Sequence, residues 1–262
     1  MRLFGGVAPP PRMRTPPAPL ASPAEAAADY AADFGPDVAV AASPPRTRVA
    51  DLRELTKPGI SAFLVVTAAT GYLLGAPGAL DWGALLGLMA GTALTAGGAG
   101  ALNHAAERAR DARMHRTEGR PIPAGRVPAA AAVAYGLALV VAGLVVLGLT
   151  TNGLTTGLAA LTVALYLGAY TPLKPRTRLN TLVGAIPGGL PALGGYAAAA
   201  GALAPAGWAA FGVVALWQLP HFLALAWLYR DDYARGGFRM LPAGDPGGRL
   251  TGAVVLVSSL AL

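Results

Sequence analysis

The chain has 262 residues, of which 54% are hydrophobic and 13% charged, with 20 Lys+Arg against 13 Asp+Glu and a formal net charge of +7. An ordinary soluble domain is about one-quarter charged, so this composition excludes a typical water-soluble enzyme, and so little charge among so much apolar surface argues against nucleic acid as a partner. With Cys 0, thiolate nucleophiles, disulfides, Fe–S clusters and Cys-ligated zinc are excluded.

Residues 1–48 are rich in Pro and Ala and lack helical periodicity, which predicts a disordered cytoplasmic tail. Prolines within the first ten residues leave no continuous apolar region of signal-peptide type. From Ile60 onward, apolar stretches at about 60–80, 83–102, 127–149, 152–171, 180–201 and 207–228 predict six membrane helices. Each has roughly the 20 residues needed to cross a ~30 Å hydrocarbon core. A seventh apolar stretch begins near Leu250 and reaches only to Leu262. The expected fold is an all-α polytopic membrane helix bundle of six complete spans plus a truncated seventh.

All 20 basic residues fall in the tail and in the loops after spans two, four and six. Twelve of the 13 acidic residues lie on the same side, Asp81 being the exception. The positive-inside rule then places the N-terminus and these loops in the cytoplasm, and any active site is expected to open there.

Three polar constellations mark that side. At the end of span two, Asn103, Glu107 and Asp111 follow i, i+4, i+8 spacing. On a helix such steps drift only about 40° and rise ~6 Å each, so the three side chains line one stripe. Two carboxylates and an amide suit Mg²⁺, which takes oxygen ligands, water and substrate phosphates. Arg116 and Arg120, again four apart, offer charge-assisted bonds to phosphate. A solvated helix end laced by i, i+3 ion pairs has the same residue pattern. After span four, Lys174, Arg176 and Arg178 cluster beside Tyr170, Thr171 and Asn180, fitting either a phosphate contact or plain membrane anchoring. In span six, His221 follows Pro220, and Asp231, Asp232 and Tyr233 come at its charged end. Ionisable groups within a membrane helix are rare and usually functional. His221 is open to substrate hydrogen bonding, proton transfer, iron ligation or a structural bond to a neighbouring helix.

The segments LTKPGI (55–60), N-x-x-x-E-x-x-x-D-x-x-M-x-R-T-x-x-R-P (103–121), YT…LK…RT…N…G…P (170–187) and WQLPHFLALAW…DY…GG…MLP (217–242) stand in an order that resembles the heme-modifying branch of the UbiA-type intramembrane prenyltransferases. Departures are Gly59, where that family often has Arg, and Tyr196, where Trp is common. The resemblance implies a prenyltransferase domain over residues 49–262 that lacks C-terminal helices of the family fold. It also implies farnesyl transfer from farnesyl diphosphate to a vinyl group of heme b with water addition. In that implied reaction Asn103, Glu107 and Asp111 are the catalytic and Mg²⁺-binding set. Arg116, Arg120, Lys174 and Arg176 bind diphosphate. Lys57, Tyr170, Asn180, His221, Asp232 and Tyr233 line the substrate and heme cavity, with heme b a substrate and no prosthetic group. Expected partners are the lipid bilayer of the cytoplasmic membrane and a heme A synthase or terminal oxidase assembly. A quinone-precursor acceptor, a transporter, and an inactive inserted fragment are the competing expectations.

Overall fold

The structure, a computed structural model, describes residues 47–76 and 78–262. The expected tail therefore lies outside the described residues up to position 46. The described residues form helices and no strand. A short α1 (Arg48–Leu55) precedes six long apolar helices: α2 (Pro58–Gly75), α3 (Trp82–Asp111), α4 (Ala129–Thr150), α5 (Gly153–Leu173), α6 (Asn180–Ala200) and α7 (Pro205–Leu228). A six-residue α8 (Arg230–Arg235) and α9 (Arg249–Leu260) follow.

The six long helices match the expected spans in number and order. Two elements differ. α3 runs 30 residues, nine beyond the expected end of its span at 102, because Glu107, Arg108 and Arg110 are good helix formers and Arg108 and Arg110 occupy its last turn. α1 has no apolar stripe to betray it. It starts where the Thr47 hydroxyl accepts the Ala50 N–H at 3.2 Å, with Asp51 in its first turn.

Glycine decides which helices meet. α3 packs along α4, and α2 along α6. A Cβ added at Gly71 or Gly195 would collide with the backbone carbonyl of Ala192 or Ala68 across the α2–α6 contact, as expected where small residues let membrane helices approach. α6 keeps its course despite Pro187 and Pro191, with Thr155 of α5 donating to the Gly194 carbonyl at 3.2 Å and Asn152 to that of Ala197 at 2.9 Å. α5 widens into a π-helical turn over Leu165–Tyr170, just where Pro172 has no N–H for the preceding turn. That turn carries Tyr166 and Tyr170, both of which face the central cavity.

Gly195→Val should destabilise the bundle by about 1–3 kcal/mol, the usual cost of overpacking, read as a lower SDS fraction at the midpoint of unfolding in detergent. Gly212→Val, where an added Cβ meets nothing within 4 Å, should leave that midpoint in place.

Candidate active site

A cavity of about 560 Å³ lies between α2, α3, α5, α6 and α7. Its depth is apolar, walled by residues such as Leu64, Leu88, Ala99, Val163 and Leu190. Its charged end is lined by Lys57, Glu107, Asp111, Arg116, Arg120, Lys174 and Tyr233. Amphipathic substrates suit such a space: the tail is shielded from water and the anionic head meets fixed cations.

The α3 stripe forms as its spacing predicts, and each member has taken a basic partner from elsewhere. Asp111, 0% exposed, accepts from Arg120 at 2.8 Å. The Lys174 ammonium straddles the Glu107 carboxylate at 2.8 and 3.2 Å. Asn103, also 0% exposed, accepts from Lys57 Nζ at 2.5 Å and donates to the Thr171 hydroxyl at 3.0 Å. Asn103 therefore stands behind Lys57 and does not line the cavity. Removing one member of such a buried pair strands the other charge at a cost of several kcal/mol.

Lys57 sits in the left-handed region at φ 49°, ψ 61°, although it precedes Pro58. Residues before proline avoid such geometry, and a non-glycine residue there carries strain of order 1–2 kcal/mol. The strain aims the amine at Asn103 and, at 3.4 Å, at the Tyr166 hydroxyl. Burial, and next the charge of Lys174, pull the Lys57 ammonium down to about 7. Burial opposes the charge on Lys174 as well, but Tyr170 and then Glu107 outweigh it and hold that lysine above its ordinary range. The Lys174 ammonium also lies 4.7 Å from the Tyr170 ring centroid.

His221 lines the cavity from α7, stacked at 4.9 Å on Trp217, which stacks at 5.3 Å on Phe63 of α2. Arg116 reaches the cavity with its guanidinium over the rings of Tyr229 and Tyr233, at 5.1 and 5.8 Å. Besides Asn103, three more residues expected at the site stand elsewhere. Arg176 is exposed and outside the lining, because the chain turns at 174–179 and only Lys174 points inward. Asn180 is fully buried behind the wall, donating to the carbonyls of Thr177 and Arg239 at 2.6 and 3.0 Å. Asp232 also lies behind the wall, accepting the backbone N–H groups of His115 and Arg116 at 2.9 and 3.1 Å and pairing with Arg235. Burial opposes the Asp232 charge, but Arg235 and those two N–H groups outweigh it and hold the carboxyl below its ordinary range.

The sequence pattern did not single out Tyr166, or the ion pair at 2.8 Å between buried Asp51 and the more exposed Arg126. Tyr166 had a signal, since it lies four residues before Tyr170 on the same helical face. Nothing in the sequence pairs Asp51 with a residue 75 positions away. Among the described residues no group of three His, Cys, Asp or Glu side chains is placed to hold a metal. Two carboxylates do face the cavity, and Asp111 Oδ1 is buried with no hydrogen-bond partner. An acceptor oxygen left free beside a second carboxylate fits a hard cation.

An apolar membrane-embedded chamber capped by carboxylates and cations defines a protein that handles a long apolar molecule with an anionic head. Comparison with known proteins makes the class specific. Residues 64–262 match the UbiA prenyltransferase family. The chain is 54% identical over 202 residues to a protoheme IX farnesyltransferase of Salinibacter ruber, covering 77% of this chain and 71% of that protein. It is 46% identical over 221 residues to the protein of the same name from Solibacter usitatus, covering 81% and 76%. Among solved structures, a UbiA homolog from Archaeoglobus fulgidus bound to GPP and Mg²⁺ superposes with a TM-score of 0.62 at 19% identity, over 80% of this chain and 74% of that one. The chain belongs to the UbiA prenyltransferase family, within its protoheme IX farnesyltransferase branch. It is a multi-pass membrane enzyme, a prenyltransferase.

Lys57→Gly and Lys57→Ala both remove the amine, but only glycine is at ease at φ 49°. The glycine variant should be the more stable of the two by about 1 kcal/mol, measured by unfolding in detergent, while both lose transferase activity.

Proposed function

We propose that this protein transfers the farnesyl group of farnesyl diphosphate to a vinyl group of heme b with addition of water, releasing heme o and diphosphate. The observation that carries this reading is the cavity itself, an apolar chamber whose charged end gathers Arg116, Arg120, Lys57 and Lys174 around Glu107 and Asp111. Its support in sequence is the identity to proteins named for this reaction.

The C–O bond at farnesyl C1 breaks, and its electron pair leaves with the diphosphate. Negative charge grows on the departing oxygens, where the guanidinium groups of Arg116 and Arg120 and the ammonium groups of Lys57 and Lys174 stabilise it. When bound, Mg²⁺ supplies Lewis-acid neutralisation of the diphosphate, and Glu107 and Asp111 are the residues to hold it. Asn103 joins that set only by releasing its oxygen from Lys57. The vinyl π pair of heme b forms the new C–C bond to C1. Water adds to the cation left beside the macrocycle and gives up a proton, which yields the hydroxyethylfarnesyl group. Apolar walls keep bulk water from the allylic cation before the C–C bond forms. His221 and Tyr233, which line the cavity, are assigned here to contact with the acceptor. The protein works in the cytoplasmic membrane with its basic loops in the cytoplasm, the orientation the loop charges favour.

Asp111→Ala should abolish heme o formation in cells expressing the chain while membrane insertion persists, as read by chromatography of heme extracts and by membrane fractionation. A normal heme o yield would refute the assignment of Asp111. Arg120→Ala should raise the KM for farnesyl diphosphate about tenfold or more, the range for a lost charge-assisted contact, with a smaller effect on heme b. Equal losses for both substrates would point to misfolding.

A further inference from the structure

The segment after α7, residues 229–240, touches both loops that bring cations to the cavity. On one side the Asp232 carboxylate receives the consecutive backbone N–H groups of His115 and Arg116, at 2.9 and 3.1 Å, across more than 110 residues of chain. An acid at the start of so short a helix ordinarily serves its own N-terminus; Asp232 serves another loop. Met114 is buried in a cluster with Phe238 and Met240, and the Arg116 guanidinium lies over Tyr229 and Tyr233. On the other side the Arg239 N–H donates to the Lys174 carbonyl at 2.8 Å. Asn180, 0% exposed, joins the Arg239 and Thr177 carbonyls, and so ties that loop back to the start of α6.

We propose that residues 229–240 are a strap that sets the spacing of the diphosphate-binding cations, with Asp232 as the positioning residue for Arg116 and Asn180 as the positioning residue for Lys174. Neither touches the cavity, and each acts through the backbone of the loop that carries its cation. The bonds are worth more as a pair than singly. Two N–H groups held by one carboxylate fix the plane of the peptide at Arg116, and with it the direction in which the side chain leaves. The strap rests on the proposed diphosphate site and adds to it the reason that cations from two separate loops arrive at one place.

The test is a double-mutant cycle in the 262-residue chain in detergent, read as the dissociation constant of inorganic diphosphate with Mg²⁺ present, by calorimetry. Asp232→Asn should weaken binding about tenfold, a typical coupling for residues in one network. In an Arg116→Ala background the same substitution should change it by less than about twofold, because the group it positions is gone. Asn180→Ala should behave in the same way against Lys174→Ala. Equal losses in both backgrounds would overturn the strap. So would a lowered unfolding temperature for Asp232→Asn with unchanged diphosphate binding, the mark of a purely structural role. Arg235→Gln keeps the carboxylate and removes its counter-ion. It should fold as the unsubstituted chain does and weaken binding by a smaller factor, and unchanged binding there together with unchanged binding in Asp232→Asn would overturn the proposal. No binding by the unsubstituted protein would overturn the strap and the proposed function together, whereas failure of the cycle alone leaves the function standing.

Discussion

Two carboxylates buried at the end of a membrane-spanning helix cannot stand alone. Glu107 is 6% exposed and Asp111 0%, and an uncompensated charge at such depth costs several kcal/mol. Each is compensated by a cation that α3 does not itself supply: Lys174 from the end of α5, and Arg120 from the loop after α3. Lys57, at the start of α2, makes the third such contact, with Asn103. The requirement to neutralise one helical stripe thus draws three separate stretches of chain to a single point. The same cations face the cavity, so groups that stabilise the fold are also those available to an anionic substrate.

The remaining architecture serves this point. Close approach of α2 to α6 through Gly71 and Gly195 leaves the chamber between the helices, while the π-helical turn of α5 presents Tyr166 and Tyr170 to it. Strain at Lys57 sits where that turn and the α3 stripe converge, the kind of place where a strained backbone is retained for function. Around the charged rim, the Asp51–Arg126 pair holds the loop after α3 to α1 from one side. Asp232 holds the same loop from the other. The loop that carries Arg116 and Arg120 is therefore clamped at both ends.

The spans were legible because membrane helices announce themselves by apolar length, and the gathering of charge at one end of the cavity because basic residues are confined to alternate loops. The stripe of Glu107 and Asp111 was legible because i, i+4 spacing is a local property of a helix. Arg116, Arg120 and Lys174 were found as cations near the right loops, and the cavity receives all three. Arg176, two residues from Lys174, shows the limit: in a turn of a few residues, spacing carries no information on which side chain points inward. Asn180 and Asp232 show another limit, since a buried polar residue reads the same in sequence whether it faces a substrate or a backbone.

By itself the sequence determined the all-helical membrane architecture, the polar side of the bundle and the identity of the acid and base residues, because hydropathy, loop charge and helical period act over a few residues to a few turns. Only the tertiary structure decided which cation neutralises which acid, that Asn103 stands behind Lys57, and that Asp232 and Asn180 brace loops behind the cavity wall. Apart from the Asp111–Arg120 pair, nine residues apart, these choices depend on contacts between residues 46 to 117 positions apart. There burial makes every polar group find a partner, and the packing of the helices determines which partner is within reach.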